Sequence, residues 1–283
     1  MTALAEAASA DPFRERVAVV TGGAGGIGLA LARAFAARGA KIVLADLDGA
    51  ALERAERELA ATGAPVLAVG ADVTRRESVV ALADQTFTRF GAAHLLCNNA
   101  GIAIAGPLVG ADPDDWRKAM AVNFWGVVHG IDAFLPRMLE QGQGGHVVNT
   151  SSMAGLVGMD WLGIYCATKF AVVGLSESLR RELAPRGIGV SVLCPMLVAT
   201  RIAENSARTL GRAIPTGGAG EADDPSAKMA LAGGVIEPSE VARRVVGAIE
   251  TDAFYVFTHP EQREILRRRA GRQDAVFERE FRV

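Results

Sequence analysis

Tyr165 and Lys169 stand four residues apart in the segment YCATK and are suited to proton transfer. On a helix, positions i and i+4 share a face, so the phenol and the ammonium project side by side. An ammonium ~4 Å from a phenolate, at an effective dielectric of ~20, supplies a gross attraction of about 4 kcal/mol. That matches the free energy needed to lower a phenol pKa by about three units, before desolvation. The pair also fits a half-buried tyrosine beside a surface lysine, so its neighbours must decide.

A glycine-rich segment, TGGAGGIG from Thr21 to Gly28, directly follows the first predicted strand. Gly22 and Gly26 can adopt positive φ and let the backbone approach a ligand, while Gly28 allows tight packing of a helix on the sheet. The free N–H groups at the start of that helix, around Ile27, favour a phosphate. Structural turns are also glycine-rich, so the position between a strand and a helix is what predicts a dinucleotide site.

Asp46 ends the second predicted strand, 20 residues after Gly26. A carboxylate there can accept hydrogen bonds from both adenosine ribose hydroxyls and repels a 2′-phosphate. No Arg or Lys lies in the glycine-rich segment or within five residues after Asp46. These residues therefore predict NAD, with NADP less favoured. A turn or helix cap shared with Asp48 is the alternative explanation of the carboxylate.

Short runs rich in Val, Ile and Leu alternate with helical patterns, which predicts βαβ units and a parallel sheet. The runs are continuously apolar, so helices must cover both sheet faces. The predicted fold is a doubly wound, three-layer αβα domain of the Rossmann type over residues 16–283, after a flexible arm over 1–15. A Gly/Pro-rich stretch predicts a substrate loop or lid over 201–237. The predicted helices are 28–38, 50–61, 77–90, 114–140, 164–183 and 239–250, with a last strand at 254–257.

Composition and charge narrow the classes of function. A formal net charge of −2 supplies no positive field to bind a phosphate backbone, so nucleic acid is not a predicted partner. The three cysteines are widely spaced, which predicts reduced thiols, no metal site and a cytoplasmic location. No segment reaches the ~18 consecutive apolar residues of a membrane span, and the first residues lack the pattern of a secretory signal. The charged tail is predicted to be a solvated surface helix.

Several of these motifs occur in the order found in one family, and the chain resembles the short-chain dehydrogenase/reductase family over nearly its whole length. The resemblance implies that Tyr165 is the general acid and base, that Ser152 polarises the substrate oxygen, and that Asn123 holds a water near Lys169. Lys169 would also donate to the nicotinamide ribose. The motifs are TGGAGGIG, Asp46, DV at Asp72, NNAG at 98–101, AVNFWG around Asn123, Ser152, YCATK and CPMLVAT from Cys194.

The same resemblance implies the cofactor contacts. They are Gly22, Gly26, Ile27, Gly28, Asp46, Leu47, Asp72, Val73, Asn99, Gly101, Tyr165, Lys169, Pro195, Val198 and Thr200. After the sixth strand the family usually has Pro-Gly, whereas this chain has Pro195-Met196. A Cβ disfavours positive φ, so the backbone there is in question, and Met196 either borders the substrate or fills the core. The predicted substrate wall is Met153, Met159, Trp161, Leu162 and Met196.

These residues predict an alcohol dehydrogenase or carbonyl reductase that transfers hydride between NAD(H) and a hydrophobic secondary alcohol or ketone. One alternative is an NADP-dependent ketoreductase of a thioester-linked substrate, which needs basic groups for its phosphates. Another is a non-catalytic dinucleotide sensor, which the complete catalytic set argues against. The resemblance also implies a homo-oligomer, a tetramer or dimer, built partly through helices 114–140 and 164–183.

Overall fold

The computed structural model describes residues 11–213 and 234–281. Within these ranges, seven strands form one sheet in the order β3-β2-β1-β4-β5-β6-β7, and every pair is parallel. The predicted doubly wound α/β fold is therefore confirmed. The strands are β1 (Val17–Thr21), β2 (Lys41–Asp46), β3 (Val66–Gly70), β4 (Leu95–Asn98), β5 (Gly145–Thr150), β6 (Ile188–Cys194) and β7 (Tyr255–Phe257).

Helices cover both faces of the sheet. They are α1 (Gly26–Ala36), α2 (Gly49–Ala60), α3 (Arg76–Phe90), α4 (Pro113–Met120), α5 (Gly126–Gln141), α6 (Gly163–Leu183), α7 (Ile202–Leu210), α8 (Pro238–Thr251) and α9 (Gln262–Phe281). One apolar cluster joins the sheet to α1, α2 and α8, and a second joins it to α3, α5 and the end of α6. The molecule thus has the three predicted layers.

Strand β1 shows why continuous apolar runs indicate a doubly covered sheet. Its five residues are all buried. Ala18 and Val20 contribute to the cluster under α1 and α2, whereas Val17 and Val19 contribute to the cluster under α3 and α5. Alternate side chains of a strand point to opposite faces, so both faces must be apolar when both are covered.

The predicted helix over 114–140 contains a feature that its apolar pattern does not show. Asp112 caps its start by accepting a hydrogen bond from the Asp114 amide. Between α4 and α5 the backbone forms a π-helical turn, Ala121–Trp125. Such turns insert one residue into an α-helix and occur often at functional sites. This turn contains Asn123, which is buried.

Two segments expected to lack regular structure are partly ordered. The predicted loop over 201–237 begins with helix α7, and its return is fixed by a bridge between Val198 and Ile236. Its Gly/Pro-rich part, 214–233, lies outside the described residues.

The predicted flexible arm also ends within the folded domain. Phe13 is fully buried, with its ring stacked on Phe35 at 5.4 Å between centroids. The Arg38 guanidinium lies 4.9 Å from the centre of the Phe13 ring. Residues 11–15 are therefore held by packing, while residues 1–10 lie outside the described ranges.

The surface helix expected for the tail is present as α9. Its first turns are anchored by Gln262 and Ile265, and every described residue from position 270 onward is exposed. No helix in the described ranges is long and apolar enough to cross a membrane.

Candidate active site

A cleft of about 1030 Å³ opens at the carboxyl ends of the strands, where the strand order reverses between β1 and β4. In open α/β sheets, ligands bind at such a reversal. Most predicted site residues line this cleft, whereas Gly28, Asn123 and Trp161 do not. Those lining it are Gly22, Gly26, Ile27, Asp46, Leu47, Asp72, Val73, Asn99, Gly101, Ser152, Met153, Met159, Leu162, Tyr165, Lys169, Pro195, Met196, Val198 and Thr200.

The turn between β1 and α1 depends on three glycines. Gly22 and Gly26 have φ of 64° and 51°, the left-handed region that glycine tolerates. A Cβ on Gly28 would lie 2.1 Å from the Gly22 carbonyl oxygen, so Gly28 packs beneath the turn and does not line the cleft. The side-chain Nδ2 of Asn99 donates to the carbonyls of Thr21 and Gly22, at 3.0 and 3.4 Å. Asn99 therefore holds the turn in shape.

The start of α1 fits an anionic ligand. Gly25 is its N-cap, and no side chain caps the helix. The first N–H groups of the helix thus remain available to a phosphate. A Cβ on Gly25 would lie 3.7 Å from an Arg201 guanidinium nitrogen, so that cation stands beside the helix start. Arg201 is distant in sequence from the glycine turn, and the sequence motifs did not identify it.

Two carboxylates at the end of β2 have separate roles. The Asp46 carboxylate accepts hydrogen bonds from the amides of Ala24 and Asp48, at 3.0 and 3.1 Å. Asp48 caps α2 through the Ala51 amide at 3.0 Å. The helix cap considered as an alternative for Asp46 is thus made by Asp48, whereas the turn considered with it is closed by Asp46 itself. Asp46 is held at the cleft, where a ribose hydroxyl can reach it, so the glycine turn and this carboxylate together fit a dinucleotide.

Helix α6 places Tyr165 and Lys169 beside each other. Its buried positions recur every four residues at Ile164, Thr168, Val172 and Ser176. The next position in each of the first two turns, Tyr165 and Lys169, then faces the cleft. The Lys169 ammonium lies 5.6 Å from the centre of the Tyr165 ring. It donates a hydrogen bond to the Thr150 carbonyl at 3.0 Å. One turn of helix thus brings the phenol and the ammonium into the same part of the cleft.

Burial moves the pKa values of this pair in opposite directions. Desolvation raises the pKa of Tyr165 to about 12, and the neighbouring Ser152 hydroxyl opposes the rise. Desolvation lowers the pKa of Lys169 to about 8. Desolvation is the largest influence on the pKa of Tyr165. Tyr165 is therefore a protonated acid at neutral pH.

Ser152 is fixed at the end of β5, where a short 3₁₀ turn, Met153–Gly155, begins. Its hydroxyl accepts a hydrogen bond from the Ala154 amide at 3.2 Å and donates to the Pro195 carbonyl at 3.4 Å. The adjacent Ser151 instead donates to the Lys169 carbonyl at 2.9 Å. Ser152 therefore borders the cleft beside Tyr165, and Ser151 supports α6.

The side chain of Asn123 makes hydrogen bonds to other residues of the protein. Its Nδ2 donates to the Ile102 carbonyl at 2.9 Å and to the Thr168 hydroxyl at 3.1 Å. Its Oδ1 accepts from the Ile102 amide at 2.8 Å. Both amide hydrogens are engaged, so Asn123 braces the segment after β4 against α6. The expected role of Asn123 in holding a water near Lys169 stays a prediction. Asn123 Oδ1 and Lys169 Nζ nonetheless flank Gly101, at 3.2 and 3.4 Å from where a Cβ would stand.

One end of the cleft has a largely apolar wall. Met153, Met159, Leu162 and Met196 line it, and Met153 also packs in an apolar cluster with Met159 and Met196 at its edge. Met196 is not among the described non-glycine residues with positive φ, so the replaced glycine causes no backbone strain. Met196 thus both borders the cleft and packs against the core.

Trp161 does not belong to this wall. Its side chain is exposed, and its backbone adopts φ of 61°, an unusual conformation for a bulky residue. The Trp161 carbonyl accepts a hydrogen bond from the Gly106 amide at 2.8 Å. Trp161, predicted as a wall residue, is thus not among the residues that line the cleft, and its backbone bonds the segment after β4.

Comparison with known proteins identifies the family. Residues 16–211 match the family model described as short chain dehydrogenase. The chain belongs to the short-chain dehydrogenase/reductase family. It is therefore an oxidoreductase of a family that uses nicotinamide dinucleotides and acts on small molecules.

Similar proteins align with this chain over most of its length. A 1-deoxy-11-beta-hydroxypentalenate dehydrogenase from Streptomyces exfoliatus is 39% identical, over 90% of this chain and 87% of the relative. A C alpha-dehydrogenase from a Sphingobium species is 37% identical, over 90% and 84%. The crystal structure of a short chain dehydrogenase/reductase from Burkholderia phymatum in complex with NAD has a TM-score of 0.80 and 38% identity, covering 90% of this chain and 93% of that chain.

Proposed function

We propose that this protein is an NAD-dependent dehydrogenase that interconverts a hydrophobic secondary alcohol and its ketone. The observation that carries the proposal is the meeting of two groups of residues in one cleft. Ser152, Tyr165 and Lys169 lie in one part of it, and the glycine turn and Asp46 lie in another. An acid and base for the substrate oxygen is thus combined with a site for a dinucleotide.

In the reductive direction, Tyr165 donates its proton to the substrate oxygen while Ser152 stabilises the developing negative charge. The dinucleotide, when bound, supplies or accepts the hydride. The raised pKa of Tyr165 keeps this residue protonated at neutral pH, as an acid must be. Oxidation runs in reverse and requires the phenolate, which the Lys169 ammonium stabilises by its charge.

We propose NAD because Asp46 is held at the cleft by two backbone amides and carries a charge that repels a 2′-phosphate. The NAD complex of the Burkholderia protein supports the same choice. We propose an apolar substrate because Met153, Met159, Leu162 and Met196 form one wall. The names of the curated relatives, a hydroxypentalenate dehydrogenase and a C alpha-dehydrogenase, support oxidation of an alcohol.

A second candidate is an NADP-dependent ketoreductase of a thioester-linked substrate. It is favoured by basic side chains from two parts of the chain that line the cleft, namely Arg117 and Lys118 on α4 and Arg201 and Arg208 at α7. These could bind the phosphates of a carrier or of NADP. A non-catalytic dinucleotide sensor would not require the combination of Ser152, Tyr165 and Lys169.

One screen separates these functions. The purified protein is tested with NADH and NADPH, at equal subsaturating concentrations, on aryl ketones, small polar keto acids and acyl thioesters. We expect turnover of aryl ketones with NADH to be fastest. Faster turnover of a thioester with NADPH would favour the second candidate, and binding of NADH without turnover of any carbonyl compound would favour the sensor.

We also propose that the protein works in a reducing compartment, the cytoplasm, and assembles as a homo-oligomer. The three cysteines are buried and form no disulfide. Exposed large aromatic side chains include Trp116 on α4, Trp125 in the π-helical turn after it and Tyr255 on edge strand β7. Exposed aromatic residues are frequent in interfaces between subunits.

A further inference from the structure

Helix α7 lies along the cleft and is anchored by one of its faces. Ser206 and Leu210, one turn apart, are its buried residues. The Ser206 hydroxyl accepts a hydrogen bond from the Ala103 amide at 2.8 Å. Leu210 packs in an apolar cluster with Ile102, Ile104, Ala119 and Ile164. These contacts fix the orientation of the helix, and so they fix what its other face presents.

The other face of α7 borders the cleft. Ile202, Asn205, Arg208 and Thr209 recur three or four residues apart along it and line the cleft. Arg208 reaches the lip formed by the end of β2, where its Nη1 lies 2.9 Å from Asp48 Oδ2. A cation from a distant part of the sequence is thereby placed next to the two carboxylates that follow β2.

Asp46, Asp48 and Arg208 form one connected network. The Asp48 amide donates to the Asp46 carboxylate at 3.1 Å, and the Asp48 side chain binds both the Ala51 amide and Arg208. The helix cap and the Arg208 guanidinium each hold the pKa of Asp48 below its ordinary value, so this residue is a full negative charge at neutral pH. The charge of Arg208 is therefore compensated within the protein.

This compensation bears on the choice between the two dinucleotides. If Asp46 binds the adenosine ribose, as in the proposed function on which this inference rests, a 2′-phosphate would approach the same lip. Arginine binds phosphate strongly because its planar fork donates two parallel hydrogen bonds. An uncompensated Arg208 would therefore attract the phosphate that Asp46 repels.

We propose that Asp48 determines cofactor selectivity by holding Arg208, which is thus a latent receptor for the 2′-phosphate of NADP. Asp48 acts through Arg208 and is a positioning residue. Arg208 is the specificity-determining residue whose contact with the dinucleotide depends on Asp48. No Arg or Lys lies within five residues after Asp46, so the cation that pairs with Asp48 is supplied by the packing of α7.

The test compares the wild type with Asp48→Asn, Arg208→Gln and the double variant. Asparagine caps a helix about as well as aspartate, so Asp48→Asn removes the charge and keeps the cap of α2. The dissociation constants of NADH and NADPH are measured by titrating their fluorescence. We expect Asp48→Asn to tighten NADPH binding about tenfold, the size of one charge-assisted hydrogen bond, with NADH changed less than about threefold.

The double variant separates the release of Arg208 from the simple loss of a repulsive charge. We expect it to bind NADPH about as weakly as the wild type, because the Arg208 guanidinium is gone. A gain that persists in the double variant, or no gain in Asp48→Asn, would overturn the inference.

Arg212→Gln is the matched control. Arg212 lies just beyond α7, pairs with Asp115 on α4 and does not reach Asp48. It should change both affinities by the same factor. A shift in its NADPH/NADH ratio as large as that of Asp48→Asn would show that movement of α7 alone alters selectivity, against the inference. Binding of neither dinucleotide by the wild type would overturn the proposed function as well.

Discussion

Tyr165 and Lys169 have pKa values that burial moves in opposite directions, to about 12 and about 8. The protonated phenol suits reduction of a carbonyl over the whole neutral range. The ammonium is the more sensitive member, because it begins to lose its proton just above neutral pH. We therefore expect the titration of Lys169, rather than that of Tyr165, to set the pH above which activity falls.

We predict that kcat/KM for NADH in ketone reduction is constant below pH 8 and falls above it, approaching tenfold per pH unit. This parameter reports groups of the free enzyme. Lys169 is charged below its pKa of about 8 and neutral above it. Only the charged form can act as an ammonium toward the ribose hydroxyls of the cofactor. The measurement is a profile from pH 6 to 10. A profile that stays flat to pH 10 would contradict this assignment.

Lys169→Arg provides the control for the pH profile. A guanidinium stays protonated throughout this range, so the fall near pH 8 should disappear even if the overall rate is lower. A fall at the same pH in this variant would assign the titration to another group.

At the scale of elements, the turn between β1 and α1 depends on the absence of a side chain at Gly28. We predict that Gly28→Ala destabilises the protein by about 2 kcal/mol or more and weakens NADH binding, because the added Cβ would meet the Gly22 carbonyl oxygen at 2.1 Å. Urea unfolding and NADH titration measure the two effects.

Gly174→Ala is the matched control within α6. A Cβ there would meet nothing within 4 Å, so the change should raise helix stability by about 0.5–1 kcal/mol. Equal effects of the two substitutions would show that the close approach at Gly28 does not constrain the turn.

The elements also show what the sequence could and could not predict. The strands, the crossover helices and the glycine turn were predictable, because apolar runs and glycine placement are local properties of the chain. The π-helical turn at Asn123 was not, since inserting one residue into a helix leaves its composition and approximate periodicity unchanged. The contact of Arg208 with Asp48 was also invisible, because it joins residues 160 positions apart in the chain.

At the scale of the whole molecule, exposed aromatic side chains lie on α4, in the π-helical turn after it and on edge strand β7. We predict that the protein in solution has a mass above that of its 29.6 kDa chain, as measured by light scattering after size exclusion. Trp125→Glu should lower that mass, because a charge on an exposed aromatic site would be buried in an interface. A wild-type mass of one chain at micromolar concentration would contradict the prediction of a homo-oligomer.

The whole molecule also sets how the site can fail. The side chains proposed for proton transfer, Ser152, Tyr165 and Lys169, lie just after β5 and on α6, whereas the glycine turn joins β1 to α1 and Asp46 ends β2. These parts are joined by the sheet and by contacts such as that of Asn99 with Thr21 and Gly22. A substitution that removes only the phenol hydroxyl should therefore leave most contacts with the dinucleotide in place.

The most direct test is the turnover of Tyr165→Phe with NADH and the best ketone of the screen, with NADH affinity measured on the same protein. Phenylalanine keeps the ring and removes the proton donor. We predict an NADH dissociation constant within about threefold of the wild type and a kcat lower by about 10² to 10⁴-fold. A folded variant that binds NADH and retains near wild-type turnover would contradict the central role of Tyr165.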